Sequence, residues 1–221
     1  MMAQRMPIGL PTDWLTFPAA QRYDGMLKKL ILIGGGGHCR SCIDVIESTG
    51  KYEIFGIIDR PVRNMSDVLG YPIIGTDDDL PALVKAGHSF LVTIGHIESP
   101  EIRVKLFETL QQLNAKIVTV ISPRAYVSRF ASIGRGTIIM HNAFVNAGAT
   151  VGKNCIINTN SLIEHDVSIG DHNHISTGAI INGGVRIGPK CFLGSGCVAK
   201  EYSVIDNNSF VKALTLVGQK K

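Results

Sequence analysis

An aliphatic residue returns at every sixth position through the second half of the chain. The series runs from Ile121 to Val211 in fifteen steps without a slip, and Ala199 is its one weak member. Its members are Ile121, Val127, Ile133, Ile139, Val145, Val151, Ile157, Ile163, Ile169, Ile175, Ile181, Ile187, Leu193, Ala199, Ile205 and Val211. A small residue usually stands two positions earlier, and Gly, Asn or Asp often follows, as in "IGRG" and "VGKN".

This period of six excludes the more common architectures. An amphipathic helix repeats at about 3.6 residues, and a hairpin sheet needs longer and less regular spacing. A fixed six-residue period instead predicts one short strand and one turn repeated many times, as in a hexapeptide β-helix, with the aliphatic side chain directed to the axis. Three hexads complete one triangular coil, so residues 121–211 are expected to form about five coils.

The preceding part of the chain alternates between strand-like and helix-like segments. "KKLILI" predicts a buried strand that runs into four glycines, and "HCRSCIDVIES" then has helical spacing. The further segments are a strand at 53–59, a strand at 90–95, a helix at 101–114 and a short strand in "KIVTVI". This alternation predicts a small parallel α/β sheet over residues 26–120, a Rossmann-like domain placed before the β-helix.

The four glycines, Gly34 to Gly37, are a candidate ligand loop. Such a loop lets the backbone approach a ligand at a helix N-terminus, where free N–H groups favour phosphate. Asp59 follows Gly37 by 22 residues, where Rossmann folds hold an acid for a ribose, but Arg40 breaks the strict G-x-G-x-x-G spacing. Because the sheet is short and a β-helix follows, a sugar nucleotide fits better than NAD. A tight turn without a ligand is the alternative.

Composition limits the class of protein. The net charge is +4, from 22 basic and 18 acidic residues, and it is too scattered for a nucleic-acid-binding protein. The apolar runs are too short for a membrane helix. Five cysteines with no secretory leader in front predict reduced thiols and a cytoplasmic location, and the C-x-x-C of Cys39 and Cys42 is a weak redox or zinc signal. Residues 1–25 are expected to be an irregular extension and residues 212–221 a short tail.

Three histidines lie within ten positions in "LIEHDVSIGDHNHIS", together with two acids. They could bind a metal, transfer protons or occupy solvated corners of the repeat. The hexad phase places His165 and Asp166 in a turn at a corner, whereas His174 precedes an axial residue and points outward from a flat face. Half a coil separates His165 from His174, so no metal site is predicted within one chain, although a neighbouring subunit could bring them together. His172 is expected to be solvated, and His141 to be structural.

The two halves together resemble the NeuD/PglD family of bacterial sugar acetyltransferases. The resemblance covers Met26 to about Val211. Its most specific segments are "GGGGH", "IIDR", "TIG" followed by Arg103, and "NTNSLIEHDVSIGDHNHIST" at 158–177. It implies a left-handed β-helix, a homotrimer and acetyl-CoA as cosubstrate. It also implies acetylation of a nucleotide-linked 4-amino sugar, or of a sialic acid hydroxyl, for a surface glycan.

The resemblance also implies roles for individual residues. His165 matches the general base, and Asp166 matches the carboxylate that orients it. His174 matches the position near the acetyl thioester. The positions along the pantetheine arm of CoA are Ser176, Gly183 and Gly194, and the positions that hold the sugar nucleotide are Gly37, His38, Asp59 and Arg60.

Two departures from the family pattern leave details open. Arg60 stands where some members that act on amino sugars have a second Asp, which affects the identity of the acceptor. The ending "KALTLVGQKK" lacks the "GNPAK"-like segment near the CoA adenine.

Three functions therefore remain open at this point. The first is N-acetyl transfer to a nucleotide-linked 4-amino sugar. The second is O-acetyl transfer to a sialic acid or a related nonulosonic acid. The third is a non-catalytic trimeric binding protein.

Overall fold

A computed structural model describes residues 27–60 and 66–218. The expected extension at 1–25 lies outside these residues. The described chain forms an α/β domain followed by a three-sided column of short strands. This confirms the predicted fold class, a Rossmann-like domain followed by a left-handed parallel β-helix.

The α/β domain has a six-stranded sheet in the order β3-β4-β2-β1-β5-β6. The pairings between β1, β2, β4, β5 and β6 are parallel, and β3 pairs with β4 in the antiparallel sense. The strands are β1 Lys28–Ile33, β2 Tyr52–Ile58, β3 Asp67–Val68, β4 Tyr71–Gly75, β5 Ser89–Val92 and β6 Lys116–Ile117; the helices are α1 Gly37–Thr49, α2 Leu80–Lys85 and α3 Glu101–Gln112, with a 3-10 turn at Asp77–Asp79 before α2.

Both faces of β1 are buried, as a continuous aliphatic run requires. Leu30 and Leu32 pack with α1, and this cluster continues into the column through residues such as Ile138 and Ile156. On the other face, Ile31 packs with α3 and with the start of α2. Helix α1 therefore lies between the sheet and the column.

The sequence predicted the main elements of this domain but missed β3, β4 and α2. Strand β4 contains Pro72 and lies near the sheet edge, and β3 has only two residues. Helix α2 has six residues, which is too short to show a helical period.

The column contains seventeen two-residue strands, which make five complete coils and two further strands. Successive strands pass to successive sides, and each pairs in parallel with the strand eighteen residues away. The first face contains β7 Val120–Ile121, β10 Ile138–Ile139, β13 Ile156–Ile157, β16 His174–Ile175, β19 Phe192–Leu193 and β22 Phe210–Val211. The second face contains β8 Tyr126–Val127, β11 Phe144–Val145, β14 Leu162–Ile163, β17 Ile180–Ile181, β20 Val198–Ala199 and β23 Leu216–Val217. The third face contains β9 Ser132–Ile133, β12 Thr150–Val151, β15 Ser168–Ile169, β18 Arg186–Ile187 and β21 Val204–Ile205.

The second residue of each strand points to the axis, as the hexad phase predicted. Ile139, Ile163 and Ile181 are fully buried in one continuous core. Strand β23 continues the pattern one step beyond Val211, so the predicted start of the tail at residue 212 falls short of the last strand.

The first residue of each strand points outward, and the three faces differ in what they present. The α/β domain covers most of the first face, where Ile138, Ile156 and His174 are buried. The third face is polar and exposed through most of its length. The second face presents an uncovered apolar ladder, which consists of Tyr126, Phe144, Leu162, Ile180, Val198 and Leu216.

Candidate active site

A cavity of about 620 Å³ lies where the glycine loop meets the first face of the column. The loop enters α1 with Gly36 as the N-cap, and no side chain caps the helix. A Cβ added at Gly36 or Gly37 would meet nothing within 4 Å. The unpaired backbone N–H groups of the first helical turn are therefore accessible to an anionic group in the cavity.

Asp59 fixes the glycine loop from the end of β2. Its Oδ2 accepts the Gly35 N–H at 2.9 Å, and its Oδ1 accepts the Arg60 N–H at 2.7 Å. Both Asp59 and Arg60 line the cavity. The structure thus brings together all four residues predicted to hold a sugar nucleotide: Gly37, His38, Asp59 and Arg60.

Three imidazole rings line the inner wall of this cavity. The ring centroid of His174 is 6.2 Å from that of His38 and 5.4 Å from that of His96. Burial lowers the pKa of His38 to about 3 and the pKa values of His96 and His174 to about 4. All three rings are therefore neutral near pH 7.

Two of these rings have nitrogens available for a ligand. Among the described residues, Nε2 of His38 and both nitrogens of His96 are buried without a hydrogen-bond partner. Buried polar atoms are usually paired, so unpaired atoms on a cavity wall are candidate contacts for a substrate.

His174, in contrast, has both ring nitrogens occupied. Its Nδ1 donates to the His96 carbonyl oxygen at 2.7 Å, and Asn158 Nδ2 donates to its Nε2 at 3.1 Å. Asn158 Oδ1 accepts the Thr159 N–H, which fixes the orientation of the amide. The ring is therefore held as a neutral wall group and is not placed to act as a base. Its position beside an acetyl thioester stays a prediction.

A buried arginine lies behind the cavity. Arg103 Nη1 donates to the carbonyl oxygens of Val92 and Ile94, both at 2.8 Å, and its Nε donates to that of Asn154 at 3.1 Å. Burial lowers its pKa to about 10, so it still carries its charge near pH 7. Arg103 joins α3 to the column and places a positive charge close to the three histidines.

His165 and Asp166 lie away from this cavity, at the corner between the second and third faces. Nδ1 of His165 donates to Asp166 Oδ2 at 2.9 Å, and both side chains are mostly exposed. The hydrogen bond to Asp166, with the charges of Asp166 and Glu164, raises the pKa of His165. With Nδ1 occupied, Nε2 lies over Gly183 of the next coil and is free to accept a proton.

Glycines of the neighbouring coils make room for this pair. A Cβ at Gly183 would lie 2.7 Å from His165 Nε2, and a Cβ at Gly148 would lie 2.5 Å from Asp166 Oδ1. The pair thus lies in a notch between coils that any larger residue would fill. Gly183 was predicted to line the pantetheine arm; this stays a prediction, to which the structure adds contact with the candidate base.

The other predicted CoA positions lie elsewhere on the column. Ser176 Oγ and Ser195 Oγ are 3.0 Å apart where the first face ends. A Cβ at Gly194 would clash with the Ala213 backbone of the next coil. The proposed contacts of Ser176 and Gly194 with CoA stay predictions.

The candidate base and the cavity do not meet within one chain. His165 follows β14 of the second face, whereas His174 belongs to β16 of the first face, which the α/β domain covers. A site that combines the two needs the corner of one subunit to approach the cavity of another, and such a site stays a prediction.

The prediction for His172 was wrong. This residue is half-buried, because α3 packs on its corner: its ring lies edge-on to Phe107 at 5.6 Å, and its Nδ1 is 3.0 Å from Asn154 Nδ2. His141 is structural as expected, with its Nε2 2.9 Å from Asp44 Oδ2 on α1.

Among the described residues, no group of three His, Cys, Asp or Glu side chains is arranged to hold a metal ion. Cys39 and Cys42 are both buried in α1, and burial raises the pKa of the Cys39 thiol to about 11. Within the same residues, no helix is long and apolar enough to cross a bilayer.

Sequence reasoning missed two residues of the cavity. His96 lies in a loop without periodicity, and only its place directly after "TIG" marked it. Asn158 lies in the motif at 158–177, but its role depends on its contact with His174, which is 16 residues further on in the next coil. The pattern within a single hexad does not show this contact.

Two family models match parts of the chain. Residues 29–110 match the family described as the PglD N-terminal domain, and residues 130–165 match the bacterial transferase hexapeptide family. No curated protein sequence matches the chain significantly.

Solved structures agree over nearly the whole chain. The acetyltransferase domain of PglB from Neisseria gonorrhoeae is 29% identical, with 86% of this chain and 91% of that chain covered and a TM-score of 0.79. The same domain in complex with acetyl coenzyme A is 28% identical, with 87% and 94% covered and a TM-score of 0.80. PerB from Caulobacter crescentus, in complex with CoA and GDP-perosamine, is 25% identical, with 86% and 94% covered and a TM-score of 0.60.

The chain thus resembles the NeuD/PglD-type family of sugar acetyltransferases in both halves, which confirms the predicted resemblance. It is an acetyltransferase, as the resemblance implied, and the hypothesis of a non-catalytic binding protein loses its support. Acetyl-CoA is the expected cosubstrate of this family, in agreement with the predicted cofactor.

Proposed function

We propose that this protein transfers the acetyl group of acetyl-CoA to the 4-amino group of a nucleotide-linked amino sugar, in the synthesis of a bacterial surface glycan. One observation carries the proposal. The column exposes a carboxylate-paired imidazole at a corner, while an open cavity with a glycine loop lies on another side. The imidazole supplies the general base, and the cavity supplies the binding site for an anionic acceptor.

The chemistry assigns His165 as the general base. As the amine nitrogen attacks the thioester carbonyl, a C–N bond forms and Nε2 of His165 takes the proton from the nitrogen. The C–S bond then breaks, and the proton passes to the leaving CoA thiolate. Such a base contributes about 10²–10⁴-fold in rate. Asp166 holds the Nδ1–H tautomer and stabilises the imidazolium that forms.

The acceptor binds in the cavity of the α/β domain. The diphosphate lies at the N-terminus of α1, against the N–H groups of the loop and the Nε2 of His38. Asp59 and Arg60 lie at the open side of the same cavity. PerB, whose solved complex contains GDP-perosamine, supports an acceptor of this class.

Acetyl-CoA lies along the column, with its pantetheine arm close to Ser176, Gly183 and Gly194. The contact of Gly183 with His165 supports this path, because it places the arm beside the candidate base. A cytoplasmic location, where acetyl-CoA is formed, belongs to the same proposal.

The working molecule is a homotrimer assembled through the second face. The apolar ladder on this face is uncovered in one chain, and Tyr126 and Phe144 stack on it with ring centroids 4.7 Å apart. Exposed contiguous apolar surface of this kind marks an interface. His165 follows β14 of this face, so its corner lies at the rim of the interface and can reach the neighbouring subunit's cavity.

The test is product analysis by mass spectrometry. Acetyl-CoA is supplied with 4-amino sugars linked to UDP, GDP and dTDP, with sialic acids as hydroxyl acceptors. The proposal expects N-acetylated nucleotide sugar from the wild-type protein and a large loss of rate in His165→Ala. Asp206→Asn, an exposed substitution elsewhere on the column, is the control and should retain full activity.

Transfer to hydroxyl acceptors alone would overturn the proposal in favour of O-acetylation. The carboxylate-paired base favours this second candidate, because an alcohol needs a stronger base than a free amine. Its signature is complete loss of transfer in His165→Ala, whereas an amine with a lowered pKa retains some attack without the base.

A further inference from the structure

A second cavity of about 290 Å³ opens next to the larger one. The two share Gly34, Asp59, Arg60 and Ile94, so they form one continuous cleft along the carboxyl ends of β1, β2 and β5. In open α/β sheets, ligands bind at this edge.

The smaller cavity has the chemistry of a nucleobase site. Half of its lining residues are aliphatic, which suits the flat faces of a base; they are Ile33, Ile58, Ile94, Ile102 and Leu106. Asp77 and Lys105 add one carboxylate and one ammonium group. Among the described residues, neither side chain takes part in an ion pair or a side-chain hydrogen bond, so both are free to contact the edge of a base.

The order of groups in a sugar nucleotide fits the order of the two cavities. The amino sugar must reach the column, so it occupies the side of His96 and His174. The diphosphate lies at the glycine loop, and Asp59 stands where Rossmann folds place an acid for the ribose. The base, which is the last group, then falls in the smaller cavity.

We propose that this smaller cavity holds a guanine base, so that the acceptor is a GDP-linked sugar; this rests on the proposed function. Guanine presents two adjacent N–H donors, N1 and N2, which match the two oxygens of the Asp77 carboxylate. Its O6 accepts from Lys105. Paired contacts to a carboxylate are the strong, geometrically specific kind. Uracil and thymine present a single N–H between two carbonyl oxygens, and one of these would face the carboxylate.

The experiment measures binding of nucleoside diphosphates by calorimetry, without acetyl-CoA. GDP should bind at least about tenfold more tightly than UDP, dTDP, ADP or CDP, since hydrogen bonds to a charged group are strong. Asp77→Asn should weaken the binding of GDP roughly tenfold. It should strengthen the binding of xanthosine diphosphate, because the Asn NH2 group then donates to the xanthine 2-carbonyl. Asp78→Asn, at the next exposed position, is the matched control and should leave both unchanged.

Equal or tighter binding of UDP or dTDP overturns the inference, and so does an unchanged GDP preference in Asp77→Asn. A change of preference to xanthine cannot come from misfolding, which would weaken every nucleotide. If UDP-linked amino sugars alone are acetylated, the assignment of a guanine site is refuted and the proposed function is supported. If GDP binds as expected but no amino sugar is acetylated, the base site stands and the proposed function is lost.

Discussion

At the scale of single residues, two groups of histidines have opposite electrostatic environments. His38, His96 and His174 are buried beside a charged arginine, and their pKa values are lowered. His165 is exposed beside two carboxylates, and its pKa is raised. The first group is suited to contact a ligand as neutral rings, and the second to gain a proton during a reaction.

The Asp166→Asn variant tests the role of the pair. A raised pKa means that His165 stays protonated, and inactive as a base, to a higher pH than an ordinary histidine. Removing the carboxylate lowers that pKa, so the acid limb of kcat/KM should move to lower pH. The plateau should fall roughly tenfold to a hundredfold, because the imidazolium loses its partner.

A pH–rate profile of both proteins with the same acceptor checks this, since the ionisation of the amine is common to them. A lower plateau with an unmoved acid limb would contradict the assignment of that limb to His165.

At the scale of elements, the sequence predicted the axial positions of the repeat but not the groups that pack on its outer surface. A slip by one residue would turn every aliphatic side chain outward, so the period fixed the axial positions such as Ile163 and Ile181. The period does not show what packs on the outside. His172 was therefore expected in solvent, although α3 covers it, and the contacts of His174 with Asn158 and His96 were not foreseen. The exposed corner of His165 was predicted because nothing covers it.

Among the contacts between elements, loss of those made by Arg103 should lower the free energy of unfolding most. Arg103→Met removes the donor for three buried carbonyl oxygens on two parts of the fold. The free energy of unfolding should fall by about 3 kcal/mol, the range for lost hydrogen bonds to a buried charged group. Urea unfolding measures it, and Lys105→Met on the exposed side of α3 is the control. A loss below about 1 kcal/mol would contradict the role of Arg103 as the link between the domains.

At the scale of the whole molecule, the three faces of the column differ in polarity and in what covers them. One is covered by the α/β domain, one is polar, and one carries the apolar ladder. This division places the base and the cavity on different sides of a subunit. Under the proposed function, assembly is then a condition of activity.

Ile180→Arg, in the middle of the ladder, tests the assembly. A charge there faces the neighbouring subunit and should yield monomers, because an unpaired charge buried in an interface is strongly unfavourable. Light scattering after size-exclusion chromatography measures the mass, and acetyl transfer should fall with it. Ser168→Arg, at an outward position of the polar third face, should remain assembled and active. A fully active Ile180→Arg monomer would refute the interface.

The central claim is that each site combines the His165 corner of one subunit with the cavity of another. The most direct measurement mixes two impaired proteins, His165→Ala and Gly36→Phe; the second places a ring in the cavity at a position where an added Cβ meets no neighbour. After co-expression in equal amounts and random assembly, about a quarter of the sites would combine an intact corner with an intact cavity. We expect acetyl transfer to return to about that fraction of the wild-type rate. Mixed assemblies whose rate does not exceed that of the faster parent would contradict the claim.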